Sequence, residues 1–414
     1  MPGVRTAEPI QRAEVNLVAA AVAVGATGLA AGGTAGPLLA VGMTGSGAVA
    51  GLPVALNLAG AAAGALVMSR EAAAGRRGRG LAWGFLLGAL GALVVVFAVS
   101  ANSFPLVLAG SLVLGTANSA VFLARYAAAA VVTADRRGRA LGRVMFATCA
   151  GAVVSPLLLG PGGALAQDIG LAHAAGAYLV AAPAFGCAAL VFWAASTPGV
   201  PWFGRLAGSL SAEPGERAAP GLAARAVRNP GTMPAILTLV VANFAMVGVM
   251  TVAPVHLTGS GDGLGVVGVL VALHVVCMFG PSPLTGYLVD RFTPGYPIAA
   301  GGVLLLAGGL VGAFAGGHGL VPMTAHLLLI GLGWNGAVVG GSALLGSTAP
   351  ADLRTHLEGI GEAAMGVAAV AAAPLAGVLA VLTGYAGMSI WFGVCAAAGL
   401  AYCCLRARVG ESMK

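Results

Sequence analysis

Apolar runs of at least 18 residues recur from one end of this chain to the other, separated by short turns rich in arginine and glycine. A run of that length is what a helix needs to cross about 30 Å of hydrocarbon. In lipid, every backbone N–H and C=O must be satisfied within the membrane-spanning structure, so the runs are predicted to be helices. Only 8% of the 414 residues are charged and 59% are hydrophobic, which leaves too little polar surface for a water-soluble domain of this size. The 67 glycines suit close helix packing in lipid. The expected class is an all-α membrane protein.

Twelve spans are expected, at roughly 16–40, 47–69, 80–100, 105–131, 141–162, 172–196, 231–256, 264–288, 296–316, 320–346, 359–382 and 386–404. The longest polar connection, 198–229, divides them into an N-terminal six-helix bundle over 1–197 and a C-terminal one over 230–414, with a cytoplasmic linker between. If the N-terminus is cytoplasmic, every Lys and Arg except Arg125 falls in the cytoplasmic loops and tails, and the outer loops hold only Asp168 and Asp262. That is the positive-inside pattern, and it places both termini in the cytoplasm. The net charge of +7 therefore reflects topology, not a nucleic-acid footprint. The six cysteines form no Cys-x-x-Cys pair and imply no disulfide framework. No cleavable signal peptide is expected in the polar first 16 residues.

The two halves echo one another. Ala134-Asp-Arg-Arg-Gly-Arg-Ala-Leu-Gly142 follows the fourth span, and Ala351-Asp-Leu-Arg-Thr-His-Leu-Glu-Gly359 follows the tenth. Gly286-Tyr-Leu-Val-Asp290-Arg291 follows the eighth, and the looser Gly64-Ala-Leu-Val-Met-Ser-Arg70 follows the second, with Glu71 next in the chain. Such symmetry marks secondary transporters. On these motifs, and on Gly151-Ala-Val-Val-Ser-Pro156 in the fifth span, the chain resembles the major facilitator superfamily over its whole length. The resemblance implies two bundles rocking about a central site, with Asp290 and Arg291 in a cytoplasmic gate.

Candidate ligands cluster between Asn243 and Met278. Met246 and Met250 in the seventh span, and His274 and Met278 in the eighth, are each spaced i,i+4 and so share a helix face. At about 1.5 Å per residue, Met246 and His274 both lie about 15 Å from the outer helix ends, near the midplane. Thioether and imidazole favour monovalent copper; hard cations ask for carboxylates and zinc for thiolates or several histidines. Methionine alone is ordinary filler. An ionisable group at that depth is functional by default, as a ligand or as a helix-bridging or proton-handling histidine.

Met246-Val-Gly-Val-Met250 and His274-Val-Val-Cys-Met278 resemble, in spacing and helix placement, the CcoA-type copper importers of the CalT group. Those transporters supply copper from the bacterial inner membrane for assembly of cbb-type cytochrome oxidases. The resemblance implies copper uptake into the cytoplasm, copper as cargo with no resident cofactor, a cytoplasmic copper acceptor and surrounding lipid as partners, and action as a monomer.

Arg125 either snorkels or takes a gating or coupling role. Glu362 is the best carboxylate for proton coupling, and Glu358 is expected to face water. Cys277, beside Met278, and His256, at the outer mouth with Met43 and Met323 nearby in depth, are possible auxiliary ligands. No GxxxxGK[ST] motif and no hydrolytic or group-transfer constellation is present, so an enzyme is not expected. The competing expectation is a proton-coupled exporter of small drugs or metabolites, although the chain is only 6% aromatic and offers one deep acid.

Overall fold

The computed structural model describes residues 3–29, 31–45, 49, 52–197, 231–259, 264–315 and 319–412. The linker, Asp262 and His318 lie outside them. The described residues are helical throughout, with no strand among them. In chain order the helices are α1 Gly3–Ala26, α2 Gly36–Thr44, α3 Leu52–Ala73, α4 Arg77–Ser100, α5 Phe104–Ala130, α6 Arg137–Leu157 and α7 Leu159–Asp168. They continue as α8 Gly176–Ala195, α9 Thr232–Gly259, α10 Leu264–Phe279, α11 Ser282–Arg291, α12 Gly295–Ala315, α13 Leu320–Thr348 and α14 Arg354–Ser412. Ten described helical segments are long and apolar enough to cross a membrane, and α6 with α7 forms an eleventh, bent by 48°. The last of the ten, Arg354–Arg406, has 53 residues and turns at Gly384, where φ is +69°, so it holds two crossings. The total is the expected twelve.

The fifth and eighth spans differ from the sequence reading. The fifth breaks at Leu158 instead of running on to 162. The eighth breaks between Phe279 and Ser282, within Gly280-Pro-Ser-Pro283. Pro281 and Pro283 have no N–H to donate back along the helix, so the ladder opens there. The eleventh and twelfth are two helices that meet at a kink on Gly384, whose left-handed backbone would strain an L side chain.

Two compact units are present. The first contains 1–134, 143–218 and 358–366; the second contains 135–142, 219–357 and 367–414. In the first unit, α5 lies against both α3 and α4. A Cβ on Gly60 would collide with the Leu112 carbonyl, and one on Gly115 with the Asn57 carbonyl, so α3 and α5 touch backbone to backbone. Phe85 of α4 stacks on Phe192 of α8 with ring centroids 5.7 Å apart. In the second unit α13 is the central post. It is almost wholly buried, and α9, α10, α11 and α12 all pack on it.

Candidate functional site

The polar side chains of the second unit converge on α13. His274 of α10 is 1% exposed, and its Nδ1 donates to the Leu327 carbonyl at 2.7 Å. That acceptor fixes the proton on Nδ1 and leaves the buried Nε2 lone pair without a hydrogen-bond partner among the described residues. A Cβ on Gly331 would stand 2.7 Å from the His274 carbonyl and 3.0 Å from Cys277 Cβ, so the glycine is what lets α10 lie this close. Cys277 therefore packs against α13 beside His274, half-buried.

One turn further on, Met278 is buried and the helix breaks. Asn335 of α13 spans the break. Its Nδ2 donates to the Met278 carbonyl at 2.7 Å and to Ser282 Oγ at 2.6 Å, and its Oδ1 accepts from Thr285 Oγ1 at 2.6 Å. A broken helix at membrane depth needs such a replacement for its opened ladder. Met246 and Met250 lie half-buried on α9. That helix is tied to α13 by the Trp334 indole N–H, which donates to Asn243 Oδ1 at 3.2 Å. Both arms of the Met/His stretch thus pack chiefly on α13 and touch each other only sparsely. His256 stacks on Tyr385 with centroids 4.3 Å apart.

The charged candidates pair in ways the sequence left open. In the first unit Arg125 is 1% exposed, so snorkelling is set aside. Its Nη2 donates to Glu362 Oε2 at 2.9 Å and to the Tyr126 hydroxyl at 3.2 Å, and its Nη1 donates to the Phe122 carbonyl at 2.8 Å. Glu358 does not face water: it is buried and pairs with Arg77 at 2.8 Å. Glu71 pairs with Arg76 across the tight turn after α3.

In the second unit Asp290 accepts from the Gly138 N–H at 2.8 Å, the Arg139 N–H at 3.0 Å and Arg139 Nε at 3.0 Å. A carboxylate there caps the first turn of α6, where unsatisfied N–H groups and the helix dipole favour an anion. Gly286 and Gly138 lie backbone on backbone beside it. Arg291 does not join this set; its guanidinium stands over the Phe292 ring.

A family model described as Major Facilitator Superfamily matches residues 17–334. The chain belongs to that superfamily. Among curated relatives it is 32% identical over 370 residues to "Uncharacterized MFS-type transporter YdeG" of Bacillus subtilis (strain 168), covering 89% of this chain and 86% of the relative. It is 28% identical over 265 residues to "Riboflavin transporter RfnT" of Brucella anthropi, 63% of this chain and 62% of that one. The crystal structure of the human organic anion transporter MFSD10 (TETRAN) aligns with a TM-score of 0.73 at 14% identity, over 95% of this chain and 99% of that one. That likeness shows the fold alone. The superfamily consists of transporters, so the Arg125–Glu362 pair, the Asp290 cap and the broken α10–α11 span are parts of a multi-pass membrane transporter.

Asn335 and His326 are among the polar residues that escaped the sequence reading. His326 of α13 is fully buried and also donates from Nδ1 to a carbonyl, that of Gly308 at 2.6 Å. The local signal for His326 is Met323 one turn earlier, an i,i+3 pair on one helix face.

Proposed function

We propose that this transporter imports copper across the bacterial inner membrane by alternating access, with both termini cytoplasmic. Met246, Met250, His274 and Met278 serve as successive ligands, and the metal goes to a cytoplasmic acceptor for cbb-type oxidase assembly. The observation that carries the reading is the orientation of His274. Metal-bound histidines commonly donate their second ring N–H to a carbonyl or carboxylate, which fixes the ring and exposes the other nitrogen. The Leu327 carbonyl fills that role here, and Nε2 is buried with no hydrogen-bond partner among the described residues. In this reading Asp290, with Arg139 as its partner instead of Arg291, serves the cytoplasmic gate, and Arg125 with Glu362 serves coupling. Cys277 and His256 are auxiliary.

A second reading is proton-coupled movement of a small organic molecule, inward for a flavin or outward for a drug or metabolite. The similarity to a relative named as a riboflavin transporter favours it, and the Arg125–Glu362 pair would serve it equally. The deciding experiment is radioactive copper uptake in cells lacking their own importer, with riboflavin uptake measured in parallel. Copper uptake lost in His274→Asn, with the protein still in the membrane, supports the first reading. Riboflavin uptake indifferent to His274→Asn, with no copper uptake, supports the second.

A further inference from the structure

A second soft-ligand cluster lies on the same unit, nearer the helix ends that carry His256, Met323 and Tyr385. His326 is 0% exposed. Its Nδ1 is committed to the Gly308 carbonyl at 2.6 Å, and its Nε2 is buried without a hydrogen-bond partner among the described residues. A Cβ on Gly312 would stand 2.7 Å from the ring, so that glycine makes the room for it. Tyr385 stands edge-to-face against the imidazole with centroids 5.8 Å apart, and its hydroxyl donates to Met323 Sδ at 3.6 Å. Met323 is three residues before His326 on α13, hence on one face with it. His274 bonds the carbonyl of Leu327, the very next residue.

The plain role for His326 is a brace between α12 and α13. A brace needs only Nδ1. It leaves Nε2 as a buried acceptor whose desolvation costs about 1–3 kcal/mol unless something binds it. Imidazole nitrogen beside thioether sulfur suits a soft cation and not a hard one. At about 1.5 Å per residue from the start of α13, Met323 and His326 lie about 5 and 9 Å in, above the roughly 15 Å of His274. We infer that Met323 and His326 form an outer soft-cation site from which the cargo passes to His274. The inference rests on the copper-transport reading and adds to it a second site and an order of occupancy.

The test uses the full chain in lipid nanodiscs, titrated anaerobically with Cu(I) against a chromogenic chelator. Asparagine suits both histidines, because its amide nitrogen reproduces the Nδ1 donor and keeps the carbonyl bond while the second nitrogen is removed. Wild type binds two equivalents, and His326→Asn and His274→Asn each lose one. Met323→Leu, which leaves both braces in place, weakens only the equivalent that His326→Asn removes, and it carries the test if that asparagine variant does not fold. A wild type that binds one equivalent, lost in His274→Asn and retained in His326→Asn, overturns the outer site and leaves the transport reading standing. A wild type that binds none overturns both.

Discussion

Arg125 Nη2 lies 2.9 Å from Glu362 Oε2, with the two side chains 1% and 8% exposed and 237 residues apart in the chain. Removing one partner of a buried pair strands the other charge, at about 3–5 kcal/mol, whereas replacing both with apolar residues of similar volume is often neutral. Glu362→Gln and Arg125→Met should therefore each lower the thermal midpoint in detergent. The double variant Arg125→Met/Glu362→Leu should recover most of the stability while remaining inactive in uptake. A double variant that transports normally would show the pair to be structural only.

The Asp290 cap is expected to depend more on the backbone than on Arg139. The Arg139 side chain is 54% exposed, and such an ion pair contributes at most about 1 kcal/mol. A carboxylate on two N–H groups at a helix start adds up to about 2 kcal/mol. Asp290→Ala should thus destabilise clearly more than Arg139→Ala in thermal unfolding, and only the latter should be mimicked by high salt.

Gly286 has no room for a methyl group, because a Cβ there would collide with the Gly138 carbonyl. Gly286→Ala should force α11 away from the start of α6, at roughly 1–3 kcal/mol by the usual scale of overpacking. A lower thermal midpoint with reduced uptake is the expected result. Gly346→Ala, where nothing lies within 4 Å of the added carbon, is the control expected to change neither.

Asn335 alone holds three groups around the broken span. Asn335→Leu leaves the Met278 carbonyl without its 2.7 Å donor, and each stranded buried group costs about 1–3 kcal/mol. Stability should fall by more than a single lost hydrogen bond would explain. Copper affinity should fall as well if Met278 is a ligand held in place by this contact. An unchanged melting temperature would show that the break is not held by Asn335.

Much of the fold was legible because long apolar runs and one-sided arginines leave few alternatives. The break in the eighth span was also within reach: Gly280-Pro-Ser-Pro283 is a helix-breaking string, and the length of the apolar run hid it. Partners were harder. Nothing local in the sequence links Arg125 to Glu362, or Asp290 to Arg139, because each pairing depends on which helices become neighbours. The importance of α13 was missed for a related reason. Its Trp334 and Asn335 form no motif along their own helix and matter only through the helices packed around them.

His274 and His326 both hold their proton on Nδ1 against a backbone carbonyl, and the thioethers near them carry no charge. A cation carried by such ligands meets no anion among them, so without proton exchange at Glu362 its charge crosses the bilayer whole. Each elementary charge moved through 100 mV corresponds to about 2.3 kcal/mol, enough to concentrate a monovalent ion roughly fiftyfold. Carriage of copper on these groups would then be electrogenic. A potassium-diffusion potential imposed on proteoliposomes would accelerate or reverse the flux, with no nucleotide needed.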